Sequence, residues 1–277
     1  MLKYKLAVLT SLFLSSTDLA ADEGLQIQRQ ALYQGGFILG TKSNCVTYQL
    51  NGLKGRCNDK GQFVVGFGRD AKPEQTVVFE LSDKSRFSYT VQIKPQQYDI
   101  QKIEGVAKKM VTPPASVSTR IAGDNQQIGR GRAVDSDLTG YTEHFIWPSY
   151  GRISGVYGSQ RVFNGIKKRP HFGLDIAAPT GTEVVAPASG IIRVAHHDMY
   201  YSGGTIILDH GFGLSSTFIH LSKVSVVEGQ KIAQGELIGE IGKSGRATGP
   251  HLDWRINWFK ERLDPAFWVE KGGNKSK

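Results

Sequence analysis

Two pairs of residues in the C-terminal half have the types and spacing that metal-assisted hydrolysis requires. In His251-Leu252-Asp253 two polar residues flank an apolar one, at the head of the alternating stretch 251–259. Residues two apart on an extended strand share a face and lie about 6.5–7 Å apart, so one can hold a cation while the other reaches the reacting group. His171-Phe172-Gly173-Leu174-Asp175 places a second histidine four residues before a carboxylate. A straight strand would spread that pair by about 13 Å, so both reach one ion only if the backbone bends, and Gly173 permits the bend. Imidazole nitrogen and carboxylate oxygen are ligands of catalytic divalent centres that keep one coordination position open. Either spacing alone is common by chance, so the surrounding elements must carry the argument.

Those elements are strands. His251, Asp253, Arg255 and Asn257 share one face of the last long strand, while Leu252, Trp254, Ile256 and Trp258 point into a core. Further strands are expected at 190–195, 205–209 and 237–242. Six of the seven histidines follow Ser149, so the chemistry belongs to this half. Ahead of it, the apolar runs 36–40, 62–67, 76–81 and 87–93 are punctuated by turns at 58–61 and 82–85, which predicts a small β sandwich. That half shows no cluster of His, Asp or Glu. With 33 Gly and 10 Pro and few long helical patterns, the chain reads as mainly β. We expect a signal peptide at 1–21, an N-terminal β-sandwich-like domain at 22–104, a linker at 105–140 with one helical segment crossing the surface, and a C-terminal antiparallel β-barrel or sandwich domain at 141–277.

The leader expectation rests on Lys3 and Lys5 ahead of an apolar run through Leu14 and on small Ala20 and Ala21, a layout too short for a membrane span. Export to the periplasm or cell envelope follows, with no transmembrane segment in the mature chain. An oxidising compartment favours a disulfide between Cys45 and Cys57, the two cysteines of the chain; two separate buried thiols are the alternative. The formal charge of +9 favours polyanions. For an exported chain these are wall polymers, headgroups or lipopolysaccharide, and no nucleic-acid partner is expected. A solvated cationic face would account for the charge equally well.

The C-terminal half resembles the LytM/lysostaphin-type zinc metallopeptidases of bacterial cell walls. The resemblance covers roughly residues 147–268. It rests on Pro170-His171-Phe172-Gly173-Leu174-Asp175-Ile176, Gly181-Thr182-Glu183-Val184-Val185-Ala186-Pro187, Thr217-Phe218-Ile219-His220-Leu221-Ser222 and Gly245-Arg246-Ala247-Thr248-Gly249-Pro250-His251-Leu252-Asp253. Four ordered motifs make it specific. It implies one Zn²⁺ per chain, other divalent metals remaining open, held by His171, Asp175 and Asp253, with His220 and His251 as catalytic groups on either side of a groove. It further implies peptidoglycan stem peptides as substrate, an endopeptidase activity on their cross-links, and an envelope regulator as a candidate partner.

One position departs from the family pattern: Asp253 stands where the family has a histidine. Aspartate is an acceptable zinc ligand, but two carboxylates in place of one would leave the cation near neutral. That weakens its hold on water and makes selectivity for zinc over manganese less secure. Arg255 shares the face of His251 and could touch substrate or pair with Asp253, and pairing is the favoured role. His220 and His251 then divide proton transfer and oxyanion stabilisation in an order the residues do not reveal. The alternative function is a catalytically weak or inactive relative that binds the wall or activates another hydrolase. His196-His197-Asp198 is read as surface near a turn, Asp209-His210-Gly211 as a turn between strands, and His144 as lying before the barrel.

Overall fold

The computed structural model describes residues 24–273. The expected leader lies outside them. The N-terminal part contains β1 (Leu25–Ala31), β2 (Phe37–Lys42), β3 (Cys45–Leu50), β4 (Leu53–Arg56), β5 (Gln62–Gly66), β6 (Glu74–Leu81) and β7 (Arg86–Gln92). They form two antiparallel sheets, ordered β1-β2-β5 and β4-β3-β6-β7. The pattern of β1 alternates half-buried and exposed, as expected of a strand with one wet face. β3 turns into β4 at Asn51-Gly52, both at positive φ (49° and 79°), the tight hairpin those two residues favour. Cys45, opening β3, is disulfide-bonded to Cys57, just past β4.

A short β8 (Ile100–Ile103) leads into the one-turn α1 (Lys108–Val111) and then α2 (Ser118–Arg132). α2 lies across the sheet of the C-terminal half. Ile128 packs on Val194, Met199 and Ile207, and Gly131 brings the helix so close that a β-carbon there would crowd Val194. Its footing is otherwise polar: Arg120 pairs with Asp198 at 2.8 Å, and Asp124 accepts from the Tyr200 amide at 2.7 Å.

The C-terminal part adds β9 (Arg152–Gly155), β10 (Gln160–Phe163), β11 (Ile166–Lys167), β12 (Leu174–Ala177), β13 (Glu183–Val185), β14 (Gly190–Met199), β15 (Gly203–Gly211), β16 (Leu214–Val224), β17 (Lys231–Ile232), β18 (Leu237–Ile241), β19 (Leu252–Trp258) and β20 (Glu261–Leu263). Ten of these build one antiparallel sheet along β17-β14-β15-β16-β19-β12-β9, with β13, β18 and β20 on side branches. β10 and β11 instead join β8, β10 running parallel to it. β16 changes partner midway: Leu214–Ile219 pair with β19, and the residues from Leu221 onward pair with β18. His220 is the hinge of that change.

The apolar core is continuous across both parts. Tyr48 stacks on Trp258 (centroids 6.3 Å apart) and Phe37 on Trp268 (4.0 Å), while Gly66 lies against Leu263. The Asp209-His210-Gly211 reading needs correction: all three close β15 and are buried, and the hairpin turns at Phe212-Gly213. His210 is held between the Ser189 carbonyl (2.9 Å) and the Ser216 hydroxyl (2.8 Å), and burial pushes its pKa down to about 4. Among the described residues no helix is long and apolar enough to cross a membrane.

Candidate metal centre

The bend expected at Gly173 is present. Residues 171–173 precede the strand, which starts at Leu174, and the His171 ring folds back beside Asp175. β12 pairs antiparallel with β19, setting Asp175 opposite Asp253. The result is three buried side chains whose ligand atoms lie within 4.8 Å of one another. His171 Nε2 stands 3.0 Å from Asp175 Oδ1 and 3.3 Å from Asp253 Oδ2. These separations are close to the roughly 3.3 Å edge of a tetrahedron with about 2.0–2.1 Å metal–ligand bonds. His171 Nε2 and Asp175 Oδ1 approach without hydrogen-bond geometry and are buried without a hydrogen-bond partner. Buried polar atoms normally find one. Two unmatched atoms aimed at a common point, in an imidazole–carboxylate donor set, fit a divalent cation.

Two glycines and two arginines fix the carboxylates. A β-carbon on Gly155 would collide with Asp175 Oδ2, and one on Gly173 with Asp253 Oδ1. Guanidinium groups grip both oxygens of Asp253, the one facing His171 included, and the outer oxygen of Asp175. Arg255 donates to Asp253 through Nε (2.9 Å) and Nη2 (2.6 Å), and Arg161 Nη2 donates to Asp175 Oδ2. Burial raises the cost of charge on Asp253, yet Arg255 and His171 hold its pKa well below the usual carboxylate range. Burial likewise opposes an imidazolium at His171, and Asp175 and Asp253 more than offset it, so its pKa is raised. The charge expectation for a two-carboxylate centre therefore changes: Arg161 and Arg255 neutralise Asp175 and Asp253 before any cation enters.

His220 and His251 face each other beside this cluster, ring centroids 4.8 Å apart. His220 Nδ1 lies 2.8 Å from the Ser244 carbonyl, and its φ of +68° is uncommon for a residue with a β-carbon. The same local twist turns β16 from β19 to β18. Burial, then the neighbouring His251, lowers the His220 pKa to about 4, so the ring is neutral at pH 7. If the Ser244 carbonyl accepts from Nδ1–H, as its position requires, Nε2 is the free acceptor. His251 precedes β19, bridged to Gly242; its Nδ1 lies 2.9 Å from the Gly249 carbonyl and its Nε2 3.9 Å from Asp175 Oδ1.

All five residues singled out in the sequence thus meet at one place, and Arg255 takes the pairing role. Cys45, on β3, and Cys57, just past β4, lie in the N-terminal part, away from it. His196 and His197 stay on the outer end of β14, and His144 is exposed. Sequence reading missed Arg161, whose position on β10 has no motif to announce it, and Gly155, one of many glycines. The groove above the cluster has a volume of about 730 Å³, and α2 with Val111 forms part of its wall.

Residues 169–265 match Peptidase family M23. They form an M23 peptidase domain. Peptidoglycan DD-endopeptidase ShyA of Vibrio cholerae is 37% identical over 106 residues, 38% of this chain and 24% of that protein. DD-carboxypeptidase/endopeptidase Mpg of Neisseria meningitidis is 40% identical over 117 residues, 42% of this chain and 27% of that protein. The similarity spans about a quarter of the length of these relatives. A Pseudomonas aeruginosa protein assigned to peptidase M23 shares the fold at 24% identity, with a TM-score of 0.68 over 86% of this chain and 95% of that one. The M23 domain holds His171, Asp175, His220, His251, Asp253 and Arg255; Arg161 reaches it from outside the matched span.

Proposed function

We propose that this protein is a zinc-dependent endopeptidase of the cell envelope that hydrolyses peptide cross-links of bacterial peptidoglycan. The observation that carries the reading is the convergence of His171, just before β12, Asp175 on β12 and Asp253 on β19, with His220 and His251 paired beside them. The relatives named for peptidoglycan peptidase activity support the substrate class.

His171 Nε2, Asp175 Oδ1 and Asp253 Oδ2 would hold the ion, which supplies a Lewis acid for the scissile carbonyl and an acidified water. The remaining work falls to the chain. Neutral His220, oriented through Nδ1 by Ser244, presents Nε2 as a proton acceptor, and His251 faces the same space to stabilise the developing oxyanion or protonate the leaving amine. Arg161 and Arg255 keep both carboxylates ionised and aimed inward.

Metal analysis of the purified protein together with release of soluble fragments from purified sacculi tests this reading. Bound zinc with cleavage supports it; protein that takes up zinc yet leaves sacculi intact refutes it. A second reading, a wall-binding or hydrolase-activating protein without turnover, draws on one observation: both ligand carboxylates are already engaged by guanidinium groups, which compete with a cation for their charge. It predicts metal-free, inert protein that stimulates another wall hydrolase.

A further inference from the structure

The groove wall beyond the metal centre is cationic and largely unpaired. Arg132, at the end of α2, and Arg169, Arg246 and Arg262 line the same cavity as His171 and His220. Among the described residues none of the four has a carboxylate partner within ion-pair distance. The acids lining that cavity are already engaged: Asp253 by Arg255, and Asp124 by the Tyr200 amide. Arg246 is occupied differently, its guanidinium over the Tyr201 ring (4.6 Å) and its Nη1 3.4 Å from the Met110 carbonyl.

Arg169 is exposed, which leaves Arg132 and Arg262 as the half-buried pair with donors to spare. Arg132 makes one side-chain hydrogen bond, Nε to the Thr217 hydroxyl at 3.2 Å, and Arg262 Nη1 is buried without any partner. An unmatched buried guanidinium donor is costly unless something arrives to accept it. Arg132 feels the neighbouring cations: burial, then Arg262 and Arg255, pull its pKa well below its usual range, while burial, then Arg255, brings Arg262 down to about 10. Sheet register fixes where they stand. Asp253, Arg255 and Asn257 run along one face of β19; Thr217, which anchors Arg132, lies opposite Arg255, and Arg262 lies opposite Asn257. The cationic pair is therefore two to four strand residues from Asp253, about 7–13 Å. An extended peptide with its scissile bond at the metal centre reaches that point two to four residues away.

We propose that Arg132 and Arg262 form a subsite for a free carboxylate of the peptide substrate, so that acidic stem peptides bind in preference to amidated ones. This assignment rests on the peptidoglycan peptidase reading above and adds the chemistry of the substrate to it. A carboxylate is favoured over a wall-polymer phosphate because the cationic pair shares one groove with the metal centre, within reach of the chain being cut.

The test uses the full chain with His251→Ala to prevent turnover, and calorimetric titration with a soluble cross-linked stem-peptide fragment whose carboxyls are either free or amidated. Amidation is expected to weaken binding about tenfold. Arg262→Gln, and independently Arg132→Gln, should weaken binding of the free acid about tenfold while leaving the amidated fragment unchanged. Equal binding of both fragments, binding of neither, or equal losses on both in the arginine variants overturns the subsite. Sacculus digestion by the chain with His251 intact separates the two ideas. Digestion with no preference for the acid removes the subsite alone; an Arg262-dependent acid preference with intact sacculi removes the hydrolase reading and leaves the subsite standing.

Discussion

Arg255 holds both oxygens of Asp253, Nε at 2.9 Å and Nη2 at 2.6 Å, from two residues further along the same strand face. Asp253, where the family pattern has a histidine, thus carries its own counter-charge: a carboxylate with its guanidinium is electrostatically close to a neutral imidazole. Asp253→His alone, which the bare charge argument would favour, should leave Arg255 buried beside a cation without its counter-charge. We expect metal affinity to fall about 10–100-fold. Asp253→His with Arg255→Gln should recover most of it. Competition against a chelating indicator measures both.

Arg255→Ala strips Asp253 of its partner. Breaking a buried ion pair costs about 3–5 kcal/mol in the metal-free protein. Adding zinc should restore part of that loss by supplying a new counter-charge. Thermal unfolding with and without zinc reports the difference.

The roles of the five site residues separate by metal content. His171→Ala and Asp175→Ala should lose both zinc and cleavage. His251→Ala and His220→Ala should keep zinc while cleavage drops about 10²–10⁴-fold, the range for loss of a general acid or base. Retained hydrolysis by Asp175→Ala would remove the ligand set.

His171 makes metal uptake depend on pH. Its pKa in the metal-free protein is raised because Asp175 and Asp253 outweigh burial, so below that value a cation must displace a proton. Apparent affinity should climb with pH until His171 is neutral and then level off, with proton release shrinking over the same interval. The stability sign is opposite for the empty centre: the imidazolium contribution is full below about 6.5 and is lost as pH rises through the raised folded value. The increase in Tm on adding zinc should therefore grow from pH 6 to pH 8.

Residues 141–277 should not fold well alone. Tyr48 and Phe37 cover Trp258 and Trp268, and Leu263 packs at Gly66. A fragment starting at Tyr141 exposes that aromatic face and should aggregate or lose its cooperative transition. Truncation is consequently a poor probe of whether residues before Tyr141 restrain the proposed turnover. Tyr200→Phe, which frees the Lys109 carbonyl from its 2.8 Å hydrogen bond in the short helix that ends at Val111 of the groove wall, is the milder one; faster sacculus turnover in that variant would show restraint.

Strand periodicity made part of the site legible: the two-residue step puts His251, Asp253 and Arg255 on one face, and a glycine within His171–Asp175 permits the bend. His220, and the grouping of all five residues, came from the resemblance carried by the four motifs. Register was not legible. Nothing local says that Asp175 lies opposite Asp253, since that depends on pairing between strands about eighty residues apart. Arg161 was invisible for the same reason, reaching Asp175 from a strand in another sheet. Asn51-Gly52 marks the β3–β4 hairpin in its own right, whereas 209–211 reads as a turn because glycine ends a strand whose interior polar residues are satisfied by Ser189, Ser216 and Arg193.

Gly155 and Gly173 contribute no functional group, yet each marks the spot where a carboxylate must rest. One added methyl at either would push its acid away from the shared focus while leaving every ligand residue in the sequence unchanged, so the centre's grip on its ion is written partly in two empty places. A mutational survey confined to charged and aromatic positions would pass over the residues that set its geometry.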